Sequence, residues 1–152
     1  AAAGKWEKVE IVRTMMEERG VRKEPGRSWI EVDNKIHEFV VGDICHPEAK
    51  AIYSVLQELT ENLKAKGYIP DVKLVLQNIR EEDKELALCS HSEKLAIAYG
   101  LLRVPHGKAI HVQKNLRVCL DCHAATKLIS EVTGREIIVR DANRFHHFKD
   151  GV

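Results

Sequence analysis

HSEKLAIAYGLL at residues 91–102 and KNLRVCLDCH at residues 114–123 decide the fold of this chain. In the first stretch Leu95, Ala98, Tyr99 and Leu102 recur at spacings of three and four, which predicts a helix that starts near Ser90. The second stretch closes a strand expected over Ala109 to Val118, after the Pro105-His106-Gly107 turn, and passes near Cys119 into another helix. Ala125, Leu128, Ile129 and Val132 face inward along that helix, and Gly134 stops it. Each helix opens on side chains with chemistry: His91-Ser92-Glu93 on one, Cys119-Leu120-Asp121-Cys122 on the other.

One imidazole and two thiolates fill three positions of a tetrahedral zinc and leave the fourth to a water, whose pKa then falls toward ~7. That order of histidine, glutamate, strand and Cys-x-x-Cys is what a zinc deaminase needs, with the glutamate as proton carrier and not as ligand. Residues two apart do not share a helix face, so His91 and Glu93 converge on one point only in a first turn. At a helix start the free N–H groups also favour thiolate over thiol at Cys119 and Cys122. Ser90 and Glu93 together spell a capping box, which accounts for the glutamate without any chemistry. The conjunction of histidine, glutamate and paired cysteines favours a catalytic zinc on His91, Cys119 and Cys122, with Glu93 as the acid–base.

Other readings of the same residues stand beside it. Cys89, His91, Cys119 and Cys122 would close a purely structural zinc site, making the chain an interaction module without catalysis. Cys119 to His123 also spells the c-type haem attachment pattern, though Met15 and Met16 are the sole sulfur partners and aromatic residues make up just 5% of the chain. A thioredoxin-like pair would leave His91 and Glu93 without a role. Cys45 and Cys89 otherwise suit small buried hydrophobes.

Around this centre the chain divides into alternating elements. Trp6, Val9, Val12 and Met16 form the stripe of an amphipathic helix over residues 5 to 19, which ends at Gly20 and Pro25-Gly26 and looks like the trailing helix of an upstream element. Ser28 to Val41 alternates about an Asp33-Asn34 turn, which predicts a hairpin. Pro47 suits the first position of a helix carrying Ile52, Val55, Leu56, Leu59 and Leu63 up to Gly67. Residues 68 to 89 are expected to form a lid: Leu74 to Leu76 reads as strand or helix alike, and Glu81 to Leu88 as a short helix. Strands at Glu136 to Arg140 and Phe145 to Phe148 complete a three-layer α/β domain, a central mixed sheet flanked by helices. Trp29 and Phe145 are expected in the core; His37, His46, His106 and His111 have no patterned partners and are expected to be structural or exposed.

The 152 residues suffice for one domain, and 24 basic against 23 acidic residues leave a formal charge of +1. So small a charge is a weak footprint for a nucleic-acid binder, since phosphate neutralisation supplies most of its affinity. Lys114, Arg117, Arg140 and Arg144 flank the metal motifs as candidate RNA contacts. Four cysteines, two of them in one Cys-x-x-Cys, suit a reducing compartment, and no membrane span or signal peptide is visible.

With those residues in view, the chain resembles the DYW-type cytidine deaminase domains of plant pentatricopeptide-repeat (PPR) RNA-editing proteins. PGRSWIE at residues 25–31 resembles the family's PG box, and HSEKLAIAYGLL, KNLRVCLDCH and RFHHF (144–148) resemble its later signatures. The resemblance implies residues 1–24 as the end of a helical extension (E/E+-like) and 25–152 as a cytidine-deaminase domain. It implies C-to-U editing of transcripts in a chloroplast or mitochondrion, with an upstream PPR array choosing the target on single-stranded RNA, editing accessory proteins as partners, and no membrane. An array that supplies affinity would explain the small charge. By residue, it implies zinc on His91, Cys119 and Cys122 and proton transfer by Glu93. Val118 stands where many deaminases have Pro, a residue that this family resembles the chain in lacking. The family continues past Gly151-Val152 into a Cys-x-Cys pair and a terminal Asp-Tyr-Trp; the resemblance implies that His123 and His146 join those cysteines around a second, structural zinc, incomplete without them.

Overall fold

The computed structural model describes residues 4–75 and 78–152. Strands β1 (Arg27–Val32) and β2 (Lys35–Val40) form the expected hairpin. Asp33 and Asn34 both adopt positive φ, 53° and 59°, the twist a two-residue type I′ turn requires. Strands β3 (Ile110–Lys114), β4 (Ile137–Arg140) and β5 (Phe145–Phe148) extend the sheet to the order β2-β1-β3-β4-β5. The β3–β4 pair is parallel and the rest are antiparallel, so the sheet is mixed and the domain α/β as expected.

Ser28, Ile30, Val32, Phe39, Ile110, Val112, Ile137, Val139 and Phe148 alternate onto the buried face of the sheet. Helix α4 (Ser92–Arg103) crosses that face against β1, β2 and β3, α5 (Leu120–Thr133) lies beside it toward β5, and α2 (Ala49–Ala65) covers both helices. The three layers therefore run sheet, α4 with α5, α2. Being the middle layer, α4 is buried on all sides from Ser92 to Gly100, where a one-sided stripe was expected. Gly100 lets it close on the sheet: a Cβ there would lie 2.6 Å from Ile110 Cγ2. Two charged residues, Glu93 and Lys94, are thereby drawn inside and must find partners.

Helix α2 begins at Ala49, two residues later than Pro47 suggests, and Gly67 beyond its end adopts φ 89°. Helix α1 (Trp6–Glu18) buries no residue, with Val12 54% exposed, as befits a stripe left without a partner. Between α2 and α4 run a 3-10 turn (Val72–Leu74) and α3 (Glu81–Cys89), the short helix expected there. Leu76, the end of the ambiguous stretch, lies outside the described residues.

Candidate metal centre

The polypeptide leaves α3 at Cys89 and enters α4 after a single turn, so His91 becomes the N-cap of α4, with extended backbone (φ −57°, ψ 142°). This overturns the capping-box reading. Ser90 caps nothing on α4; its hydroxyl donates back to the Leu86 and Ala87 carbonyls at the end of α3. Glu93 is free of cap duty. Cys119 is the N-cap of α5, its sulfur accepting the Cys122 N–H at 3.3 Å.

The two helix starts meet. Ligand atoms of His91, Glu93, Cys119 and Cys122 all lie within 4.8 Å of one another. His91 Nδ1 is 3.3 Å from Cys122 Sγ and 3.7 Å from Cys119 Sγ. Nitrogen and sulfur ligands at usual zinc distances are about 3.6 Å apart in a tetrahedron, so the donor set fits zinc. Cys89, which a closed structural site would need, lies outside this cluster: its sulfur sits 4.0 Å from Thr60 Oγ1 in the groove between α2 and α3.

Glu93 faces the cluster 1% exposed. Its Oε2 accepts from Lys114 Nζ at 2.8 Å and Ser92 Oγ at 3.3 Å, while Oε1 is buried without a hydrogen-bond partner. Lys114 Nζ also donates to Ser92 Oγ at 3.0 Å, and Ser92 Oγ pairs with Ser28 Oγ at 2.9 Å. Burial pushes the Glu93 carboxyl up, but the Lys114 ammonium outweighs it and holds the group below the ordinary carboxylate range. The hydrogen bond from Cys122 lowers the Cys119 thiol to about 5, whereas burial pushes the Cys122 thiol up. A metal bound here would hold both sulfurs as thiolates, so binding it would release protons.

Behind the cluster, Lys94 Nζ donates to Asp121 Oδ2 at 2.8 Å and to Tyr68 Oη at 3.1 Å. Tyr68 Oη in turn donates to Asp121 Oδ1 at 2.7 Å. In front of it opens a cleft of about 800 Å³, whose walls include Pro25, Val40, Leu74, Val75, Leu116 and Arg117.

Of the candidate RNA contacts, Arg117, Arg140 and Arg144 are exposed. Lys114 is not on the surface with them: its side chain is 7% exposed and bound to Glu93. Phe145, expected in the core, is 75% exposed, because it begins the edge strand on the open face of the sheet, and the Arg140 guanidinium lies 5.7 Å from its ring centroid. Trp29 is half-buried, and Cys45 is exposed rather than buried. His123 and His146 are neighbours, with ring centroids 5.4 Å apart, and His146 Nε2 lies 2.9 Å from Asp141 Oδ2. His106 and His111 are exposed. His37 and His46 are partners instead of isolated: their nitrogens are 2.9 Å apart, and Tyr99 Oη is 3.2 Å from His37 Nε2. No sequence period links them, since loop and sheet bring them together.

Residues 36–63 match the E+ motif. Two chloroplastic pentatricopeptide repeat-containing proteins of Arabidopsis thaliana are 53% and 52% identical to the chain, and a mitochondrial one 50%, each over 151 residues and 99% of the chain. The chain spans only 17%, 24% and 24% of their respective lengths. Residues 67–152, more than half of the chain and the part that holds His91, Glu93, Cys119 and Cys122, match the model of the DYW family of nucleic acid deaminases, and the chain belongs to that family.

Proposed function

We propose that the chain catalyses hydrolytic deamination of cytidine to uridine in RNA, with zinc on His91, Cys119 and Cys122 and with Glu93 as the proton carrier. The observation that carries this reading is the split environment of Glu93: one oxygen tied to buried Lys114, the other buried and unpartnered among a histidine and two thiols. Zinc at such a site supplies the Lewis acidity that makes water a nucleophile near neutral pH. With zinc held there, Glu93, its carboxylate paired with Lys114, would take a proton from the attacking water and pass it to N3 of the cytosine. The same carboxylate would then carry the proton of the new C4 hydroxyl to the exocyclic amine, which leaves as ammonia. A C4–O bond forms, the C4–N bond breaks, and cytidine and water become uridine and ammonia.

The cleft is large enough for one extruded base, with Arg117 at its wall. Arg140 and Arg144 belong to the same reading as contacts to flanking phosphates, and Lys114 to the catalytic machinery instead. Residues 1–24 are read as the end of a helical extension and 25–152 as the deaminase domain, because the hairpin and α2, where the E+ motif match falls, share one sheet and core with residues 67–152. An upstream PPR array, suggested by the relatives' names, selects the RNA in a chloroplast or mitochondrion. His123 and His146 supply half of a second, structural zinc site, completed by a Cys-x-Cys pair; editing accessory proteins are further partners. No helix among the described residues is long and apolar enough to cross a membrane.

The test is to supply the chain, joined to a PPR array of known target, with that RNA and zinc, and to read the edited position by sequencing. Uridine at the target with one zinc required is the expected result. Zinc bound with no conversion under any condition would leave a structural metal module.

A further inference from the structure

Lys94 and Asp121 touch no reacting atom in this scheme, yet their side chains are 5% and 1% exposed and their charges meet at 2.8 Å. Lys94 lies one turn beyond His91 in α4, and Asp121 lies between Cys119 and Cys122 in the first turn of α5. The pair therefore joins the two turns that carry the metal-binding side chains. Its carboxylate is fixed from several directions: Oδ1 accepts from Tyr68 Oη at 2.7 Å and from Asp71 N at 3.0 Å, and Oδ2 from Lys94. Helices α4 and α5 both bury side chains in the single core, and α2 spans them both. Apolar packing fixes the bodies of the two helices, and at their starts, behind the cluster, Lys94 and Asp121 join them through a direct charged contact.

A buried ion pair is a poor source of stability, because desolvation offsets its attraction and an apolar pair of the same volume often does as well or better. What the ion pair adds is a defined length and direction. A metal site needs that, since its donors must be held within about 0.5 Å of their working positions. We infer that the Lys94–Asp121 pair is the spacer that sets His91 against Cys119 and Cys122 at metal-binding separation. The inference rests on reading those three residues as a zinc site. Lys94 and Asp121 are positioning residues in this account, and Tyr68 and Asp71 hold the carboxylate in its rotamer.

The experiment measures zinc affinity by competition with a chromogenic chelator, alongside the thermal stability of the metal-free chain. Lys94→Met alone strands a buried carboxylate and destabilises the fold. The informative variant is Lys94→Met with Asp121→Leu, which removes both charges; it should melt near the parent chain and bind zinc 10- to 100-fold more weakly. With cobalt in place of zinc, its visible absorption should show a distorted tetrahedral site. Should the double variant fail to fold, Asp121→Asn keeps the shape and drops the charge, and it too should bind zinc at least about tenfold more weakly. Wild-type zinc affinity in a folded double variant, or in Asp121→Asn, overturns the inference. A parent chain that binds no zinc overturns the metal reading itself, and the spacer with it.

Discussion

Lys114 Nζ donates to Glu93 Oε2 at 2.8 Å, with both side chains withdrawn from solvent. The lysine is the last residue of β3, and the glutamate sits in the first turn of α4. The contact ties Glu93 to the sheet. Lys114→Met should destabilise the chain by about 3–5 kcal/mol in chemical denaturation, the usual cost of leaving one member of a buried pair alone. Adding Glu93→Gln should recover much of that loss. If Lys114→Met is as stable as the parent chain, the pair is not formed in solution.

Glu93→Gln alone preserves the shape of the side chain and removes its ability to carry protons. Deamination should fall by at least ~10²-fold while zinc content stays at the parent level, because the glutamate is not a ligand in the proposed scheme. Loss of the metal together with activity would show that Glu93 binds it directly. Substituting His91, Cys119 or Cys122 should remove both at once.

The sequence periods and turn residues were enough to place the hairpin, α5 and β5, because each rests on local chemistry: the Asp33-Asn34 turn, a helix opening at Cys119, an alternating segment. The grouping of His91, Cys119 and Cys122 was legible because their spacing is a geometric requirement. What stayed hidden depends on neighbours far along the chain. Ser90 and Glu93 spell a capping box until α3 is seen to run up to Cys89 and claim Ser90. Lys114 looks like a surface cation until β1 sets it against Ser28 and the start of α4. The His37–His46 pair has no signature in sequence at all.

Gly100 tests how closely α4 must approach the sheet. Gly100→Ala improves helix propensity by about 1 kcal/mol, but its methyl would meet Ile110 Cγ2, which branches from a stiff strand residue, and Ile30 Cδ1. Overpacking of this kind costs about 1–3 kcal/mol, so the net effect should be a lower melting temperature. A more stable Gly100→Ala chain would mean that α4 has room to spare.

His37 and His46 make stability depend on pH. Burial, and for His37 the neighbouring His46, lowers both imidazoles below their ordinary value of 6.5. Glu48 N donates to His46 Nδ1 at 3.1 Å, so the neutral pair can pass one hydrogen bond from His46 Nε2 to His37 Nδ1. The unfolded chain binds protons more readily than the folded one at these sites. Their contribution is therefore complete above pH 6.5 and is lost as pH falls toward the lower folded values. Replacing His46 with Gln should flatten the fall in melting temperature between about pH 7.5 and 5.5. An unchanged slope would place the acid sensitivity elsewhere.

Arg140 and Phe145 should contribute to RNA affinity by different physics, and salt separates them. The guanidinium is exposed beside an exposed ring, and among the described residues Arg140 forms no salt bridge. Arg140 pairs with Gln113, next to Lys114 at the end of β3, so the exposed pair stands across the end of the sheet from the cleft. Arg140→Ala should weaken binding of the target RNA and reduce the slope of log affinity against log salt by about 0.7, the share of one phosphate contact on a single strand. Phe145→Ala should cost about 1–3 kcal/mol if a base stacks on the ring, with the salt slope unchanged. Binding of the cognate RNA by the PPR-joined chain, titrated at several salt concentrations, measures both. Equal loss of slope in the two variants would mean that Phe145 only orients Arg140, and no loss in either would move the RNA path off this edge of the sheet.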